Sequence, residues 1–150
     1  MDAVSEQQAR QTHILEITRV LDAPQRLVFR MWTTPEHLVR WWGPKNYTST
    51  SQRMEFRPGG LYRHTIHAPN GEASVMSGVY REIVEPSKIV FTFAWNDNRS
   101  AENLVTVTFE PVGERTRMTF RQEPFADIAT RDSHVTGWGE CLDRLVDALA

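Results

Sequence analysis

The sequence is short of several features that would place it in a special class of protein. It has one cysteine, Cys141, in 150 residues, so no internal disulfide can form and a reducing compartment is favoured. No apolar stretch approaches the ~20 residues that a membrane helix needs. The polar residues 1–12 lack the apolar middle of a signal peptide. These absences predict a cytoplasmic protein without membrane insertion.

An excess of charge of one sign is also missing. Seventeen Lys and Arg against nineteen Asp and Glu give a formal net charge of −2, and the basic residues are scattered from Arg10 to Arg144. Because nucleic-acid binding needs a basic face that neutralises phosphates, we expect no nucleic-acid partner. The hydrophobic fraction of 40% is too high for a disordered chain, and 150 residues suit one domain. We expect that domain over 13–150, after a disordered tail at 1–12.

The middle of the chain has the pattern of an antiparallel sheet. Alternating or β-branched runs separated by turn residues predict seven strands, and Asn70-Gly71 is typical of a hairpin turn. Because the strands follow one another through short loops, a mostly antiparallel meander is expected. The predicted strands cover residues 13–20, 46–57, 61–67, 73–84, 88–95, 103–110 and 115–122.

Helical patterns flank this region. Pro24 and Pro35 mark the starts of two short helices after the first strand. From about Asp132 the sequence predicts a long amphipathic helix, supported by an ion pair between Glu140 and Arg144. Its apolar stripe consists of Val135, Trp138, Leu142, Leu145 and Leu149. A bent sheet must bury its concave face, so we expect an α+β fold with the sheet around this helix. Space between the two is the candidate site.

Several motifs resemble those of one known family. Trp41-Trp42-Gly43-Pro44 and Arg57-Pro58-Gly59-Gly60 are specific in combination, and Gly137-Trp138 follows in the last helix. Over residues 13–149 the chain resembles homologues of the heat-shock-protein-90 ATPase activator, within the START-like, polyketide-cyclase-like (SRPBCC) superfamily. The resemblance implies a helix-grip fold with a deep, mostly apolar cavity between the sheet and the C-terminal helix. It implies no single activity, since the superfamily includes lipid carriers, aromatase/cyclases and hormone receptors.

Large side chains on the predicted inward faces are the candidate ligand-binding residues. Any one ring on such a face can be simple core packing, but this many rings on a small curved sheet favour a pocket wall. Of the adjacent Trp41 and Trp42, we expect one to pack inward and the other to cover an edge or mouth. The candidate residues are Trp42, Phe56, Tyr62, His64, Met76, Phe91, Phe93, Trp95, Phe120, Trp138 and Leu142.

The polar candidates are few. His64 shares the apolar face of its strand, so it is either a hydrogen-bonded core residue or a polar anchor for a ligand. His67 points to the opposite face and cannot share a metal with His64. Cys141, beside the apolar stripe, is expected to be an inert thiol. No metal-ligand spacing, dinucleotide fingerprint or phosphate loop is present, so no metal or cofactor is expected.

Three functions fit these observations. The leading hypothesis is binding of a small hydrophobic or aromatic molecule that is lipid-, polyketide- or flavonoid-like. The second is a cyclase, dehydratase or hydrolase acting on such a molecule with His64 as general base. The third is regulation of a heat-shock-protein-90-type ATPase. We do not expect a chaperone partner, because in the eukaryotic activators a separate N-terminal domain contributes and only about a dozen residues precede the fold here. Exposed sheet edges would allow a homodimer.

Overall fold

The computed structural model describes residues 13–149, which form a seven-stranded sheet and three α-helices. The tail predicted at 1–12 lies outside the described residues. The strands are β1 (Leu15–Leu21), β2 (Thr48–Met54), β3 (Leu61–His67), β4 (Ala73–Val84), β5 (Lys88–Trp95), β6 (Asn103–Val112) and β7 (Arg115–Glu123). The helices are α1 (Gln25–Arg30), α2 (Pro35–Leu38) and α3 (Ile128–Ala148), and Arg99–Ala101 forms a short 3-10 turn.

The sheet has the order β1-β7-β6-β5-β4-β3-β2, and every neighbouring pair is antiparallel. The predicted meander is therefore confirmed, and β3, β4 and β5 have the predicted bounds. One pairing joins strands that are distant in the chain. In that pairing β1 lies beside β7 with Leu15 opposite Gln122, so β1 and β2 form the two edges.

Two irregularities accompany the bend of the sheet. The register between β2 and β3 shifts between Ser51 and Arg53, and the register between β4 and β5 shifts between Tyr80 and Glu82. Such bulges bend a strand and increase its local twist. The turn after β2 packs beside the second bulge, where the Gly59 N–H donates to the Tyr80 carbonyl oxygen at 2.7 Å.

Helix α3 covers the concave face. It buries Trp138, Cys141, Leu142 and Leu145 against the inward side chains of the strands. Strand β7 shows the alternation clearly, with its even-numbered residues from 116 to 122 buried. The expected helix-grip architecture is confirmed. Within residues 13–149, no helix is long and apolar enough to cross a bilayer.

The start of α3 differs from the prediction. The helix begins at Ile128, four residues before Asp132, and Asp127 caps it by accepting from the Thr130 N–H at 2.7 Å. The first turn carries no buried apolar residue, and Ile128 is 47% exposed, so hydrophobic periodicity could not mark it. Val135 was placed wrongly in the apolar stripe and is 40% exposed. At this position along the helix axis, the side chain that faces the sheet is that of His134.

Candidate functional site

A pocket of about 370 Å³ opens between α3 and one end of the sheet. Three parts of the chain line it. They are the loop that follows α2, the neighbouring ends of β3, β4 and β5, and α3 as far as Cys141. Pockets of this size accommodate small organic molecules.

The loop after α2 forms the first wall and is tied to α3 by Arg144. The guanidinium Nη1 donates to the carbonyl oxygens of Trp42 (3.2 Å), Gly43 (3.0 Å) and Pro44 (3.3 Å). Gly43 has a φ of +103°, which L residues rarely adopt, so the turn requires glycine.

The predicted ion pair between Glu140 and Arg144 is wrong. Arg144 uses its donors on the loop, and a Glu140 carboxylate oxygen accepts from the Lys45 backbone N–H at 3.4 Å. The spacing of four residues considers the helix alone, whereas here a neighbouring loop offers both side chains backbone partners. The two residues therefore connect α3 to the pocket wall.

The second wall is held by a hydrogen bond between β5 and α3. The Trp95 indole Nε1–H donates to His134 Nε2 at 2.8 Å, and His134 Nδ1 lies 2.8 Å from the Thr130 carbonyl oxygen. Since Nε2 accepts, the geometry assigns the proton to Nδ1, which donates to Thr130. His134 therefore fixes the orientation of the Trp95 ring.

Trp138 is fixed by a buried polar chain below the pocket. Its Nε1–H donates to Gln122 Oε1 at 2.8 Å, and Gln122 Nε2 donates to Asn103 Oδ1 at 2.8 Å. Asn103 Nδ2 in turn donates to the Pro124 carbonyl oxygen at 3.3 Å. Gln122 is fully buried, so each of these polar groups needs its partner.

Four of the eleven candidate ligand-binding residues line the pocket. They are Trp42, Met76, Trp95 and Trp138. Both adjacent tryptophans are buried: Trp41 packs in the core, and Trp42, 2% exposed, forms pocket wall. Their ligand-binding role stays a prediction.

The other seven candidates lie outside this pocket and are packed in the core, Phe56 only partly buried. They are Phe56, Tyr62, His64, Phe91, Phe93, Phe120 and Leu142. Beside Phe120 the interior is filled by the turn after α1, because the Trp32 ring lies 4.6 Å from Trp41 and stacks 6.4 Å from Phe120. Phe56 borders a separate pocket of about 230 Å³ beside α1. Strand alternation predicts which face a residue occupies but not where along the sheet the interior stays open.

His64 has the surroundings of a core histidine. Its Nδ1 is hydrogen-bonded to Ser51 Oγ at 3.0 Å, and its ring lies between Trp42 and Tyr62 at centroid distances of 5.4 and 5.1 Å. Burial lowers the pKa of His64 from 6.5 to about 4, because the charged form is poorly solvated there. His64 faces a void of about 10 Å³ that Trp42 also borders.

Sequence reasoning missed the ten remaining lining residues. A signal existed for Ile66 and Ser74, which share the inward faces of His64 and Met76 on β3 and β4. The others lie in loops or on α3, where no local pattern marks a pocket. They are Gly43, Pro44, Tyr47, Asn96, Ser133, His134, Gly137 and Cys141.

Cys141 is buried beside the pocket. Burial raises the pKa of Cys141 to about 12, so the side chain stays a thiol, as expected for an inert core cysteine.

In the described part of the chain, no group of three or more His, Cys, Asp or Glu side chains is placed to hold a metal ion.

Comparison with known families adds to this geometry. The family model described as "Activator of Hsp90 ATPase homolog 1-like protein" matches residues 22–150. The chain belongs to this family. The region matched by the family model begins after β1 and includes α3, the pocket and most of the sheet. A comparison with curated proteins found no match.

Solved structures share the fold of this family member. A protein from Chromobacterium violaceum has a TM-score of 0.84 at 24% identity, covering 91% of this chain and 96% of its own. The AHSA1 protein from Silicibacter pomeroyi has a TM-score of 0.82 at 23% identity, covering 91% and 96%. A protein from Mycobacterium smegmatis has a TM-score of 0.80 at 20% identity, covering 94% and 93%. At these identities the likeness shows the helix-grip fold alone.

Proposed function

We propose that this protein binds a small, mainly hydrophobic or aromatic molecule in the pocket between α3 and the sheet. The observation that carries the proposal is the pocket of about 370 Å³ walled by Trp42, Trp95 and Trp138. Each ring is held by its own neighbours, so the pocket exists before a ligand arrives. A preformed apolar cleft with a few placed polar groups is the usual form of a small-molecule site.

In this proposal the aromatic and the polar side chains of the pocket have different roles. The aromatic walls remove apolar ligand surface from water, which contributes about 2.5 kcal/mol for every ~100 Å² buried. Ser74, Asn96 and Ser133 offer hydrogen bonds that orient a polar substituent. The lipid-, polyketide- and flavonoid-like molecules considered above all combine an apolar body with such substituents.

A blocking variant tests the proposal. Ser74 points inward from β4 and lines the pocket, whereas its neighbour Ala73 is exposed. We expect Ser74→Trp to fill the pocket and abolish ligand-induced thermal stabilisation, while Ala73→Trp, which adds the same ring outside, leaves it intact. The measurement is a thermal-shift and native mass-spectrometry screen of flavonoids, polyketide mimics and fatty acids. Failure of every compound to bind the parent, or equal binding by both variants, would contradict the proposal.

The catalytic alternative has no observation in its favour among the described residues. His64 was the only candidate base, and it lies outside the pocket with a pKa of about 4. A base of that strength holds a proton weakly at neutral pH.

Regulation of a heat-shock-protein-90-type ATPase, named in the family's description, is the other alternative, and the sequence gives no expectation of a chaperone partner. ATP turnover by such a chaperone with and without this protein measures it directly.

A further inference from the structure

One side of the pocket is formed by the smallest side chains of α3. Ser133, Gly137 and Cys141 follow one another at intervals of four residues, and all three line the pocket. Residues at this spacing share one helix face, and the three span about 12 Å along the axis. Ser133 is exposed, Gly137 is half-buried and Cys141 is buried, so this small-residue face runs from the mouth to the base of the pocket.

Packing does not explain the glycine at position 137. A Cβ atom there would meet only Pro44 Cγ, at 4.0 Å, and the backbone has no positive φ. Glycine is the least favourable residue after proline in the interior of a helix. A side chain at 137 would instead project into the pocket, so glycine leaves that volume to a ligand.

The rest of the lining indicates what the ligand is like. Aromatic rings approach from the loop after α2 (Trp42 and Tyr47), from β5 (Trp95) and from α3 (Trp138). Rings of this kind stack on or meet the edges of other flat rings.

The charge of the pocket lining also indicates what kind of ligand fits. Of the described residues that line the pocket, none is Asp, Glu, Lys or Arg. The Arg144 guanidinium, which lies behind the loop that lines the pocket, is engaged by the carbonyl oxygens of that loop. An anionic group entering this pocket would lose its hydration without gaining a counter-ion.

We propose that the pocket accepts a flat, uncharged ring system that lies along the small-residue face of α3, and that Gly137 sets how deeply it enters. This inference rests on the proposed function and narrows it. It favours neutral aromatic ligands over fatty acids, whose carboxylates carry a charge. It also makes Gly137 a specificity-determining residue, because a methyl group there would occupy the space of the ligand.

The test uses two dyes and two glycine variants. The first dye, diethylaminocoumarin, is flat and uncharged and carries a ring carbonyl. The second dye, diethylaminocoumarin carboxylate, has the same ring system with one added negative charge. Gly139 lies two residues along α3 and outside the pocket lining, and a Cβ there would meet only Arg19 Nη2 at 3.8 Å. Gly139→Ala is therefore the matched control for Gly137→Ala, with binding followed by dye fluorescence and stability by thermal unfolding.

We expect both variants to raise Tm by about 2–4 °C, because alanine favours the helix. Only Gly137→Ala should weaken binding of the neutral dye, by about tenfold, and the parent should bind the carboxylate at least about tenfold more weakly. Equal dye affinity in both variants would overturn the role of Gly137, and equal affinity for the two dyes would overturn the charge criterion, while the proposed function stands in both cases. If the parent binds neither dye and no compound of the screen above, both the proposed function and this inference are overturned.

Discussion

At the scale of single residues, two aromatic rings of the pocket are oriented by a hydrogen-bond partner from another element, and the loop that carries a third is held in place. His134 accepts from Trp95, Gln122 accepts from Trp138, and Arg144 donates to the loop that carries Trp42. A ring held in this way loses little conformational freedom when a ligand binds, which favours affinity. The pocket is thus maintained by polar contacts behind an apolar surface.

His64 makes the stability of the protein depend on pH. Its pKa is about 4 in the folded state and 6.5 when unperturbed. As pH falls through this interval, the unfolded chain binds a proton that the folded protein excludes, so the free energy of unfolding falls by up to about 3 kcal/mol. We expect His64→Asn to flatten this dependence, measured by urea unfolding between pH 4.5 and 7.

The carboxylates with lowered pKa act mainly below this interval. The stabilising charges of Glu55, Asp97 and Asp127 are lost as pH falls from the usual carboxyl values of 4.5 and 3.8, because hydrogen bonds hold their pKa values below that range, with nearby arginines adding to the effect at Glu55 and Asp97. Parallel pH profiles for the parent and His64→Asn would show that the imidazole is not buried in its neutral form.

At the scale of secondary-structure elements, the two ends of α3 have different surroundings. Its C-terminal end buries Leu142 and Leu145 against the sheet, whereas the turns from Ser133 to Cys141 border the pocket, with Trp138 as their one large apolar side chain there. Fewer apolar contacts hold the N-terminal half, so its stability relies more on the cap at Asp127. The pocket is therefore next to the part of the helix that opens most easily.

The cap gives an element-scale prediction. Asp127→Ala removes the acceptor of the Thr130 N–H, and we expect Tm to fall by about 2–4 °C. Asp127→Asn should restore most of the loss, because asparagine caps helices nearly as well as aspartate. Hydrogen exchange should show the change in the first turns of α3. An equal loss of Tm in both variants would mean that the charge, not the cap, is what matters.

At the scale of the whole molecule, the interior is filled at one end and open at the other. The turn after α1 and the segment after α2 place Trp32 and Trp41 between the helix layer and β6 and β7, where they close the space. From the segment after α2, Trp42 and Tyr47 reach the ends of β3, β4 and β5 as walls of the pocket, and they leave its volume open. The segments that follow the two short helices thus fill the interior beside β6 and β7.

Replacing one tryptophan at each end tests this asymmetry. Trp41 is fully buried, and its Nε1–H donates to the Met31 carbonyl oxygen at 3.1 Å. We expect Trp41→Ala to cost about 3–5 kcal/mol through the cavity that it leaves. Trp95→Ala, at the partly exposed pocket wall, should cost much less. Denaturant unfolding compares the two, and similar losses would show that the pocket end is as tightly packed as the other.

Local sequence patterns determined the sheet. The strands β3, β4 and β5 have the predicted bounds because alternation and the turn residues around Gly71 and Pro86 act within a few residues. The class of fold followed, since one long amphipathic helix was available to cover the concave face. The first turn of α3 escaped prediction because it buries nothing, and Asp127 was the signal that could have marked it.

The position of the pocket was decided by tertiary structure alone. Phe93 and Trp95 share one strand face, yet only Trp95 lines the pocket, because distant segments fill the space beside Phe93. His134 and Gly137 gain their places from the loop and strands packed against α3. Strand alternation is a property of neighbours in the chain, whereas empty space depends on where side chains far apart in sequence meet.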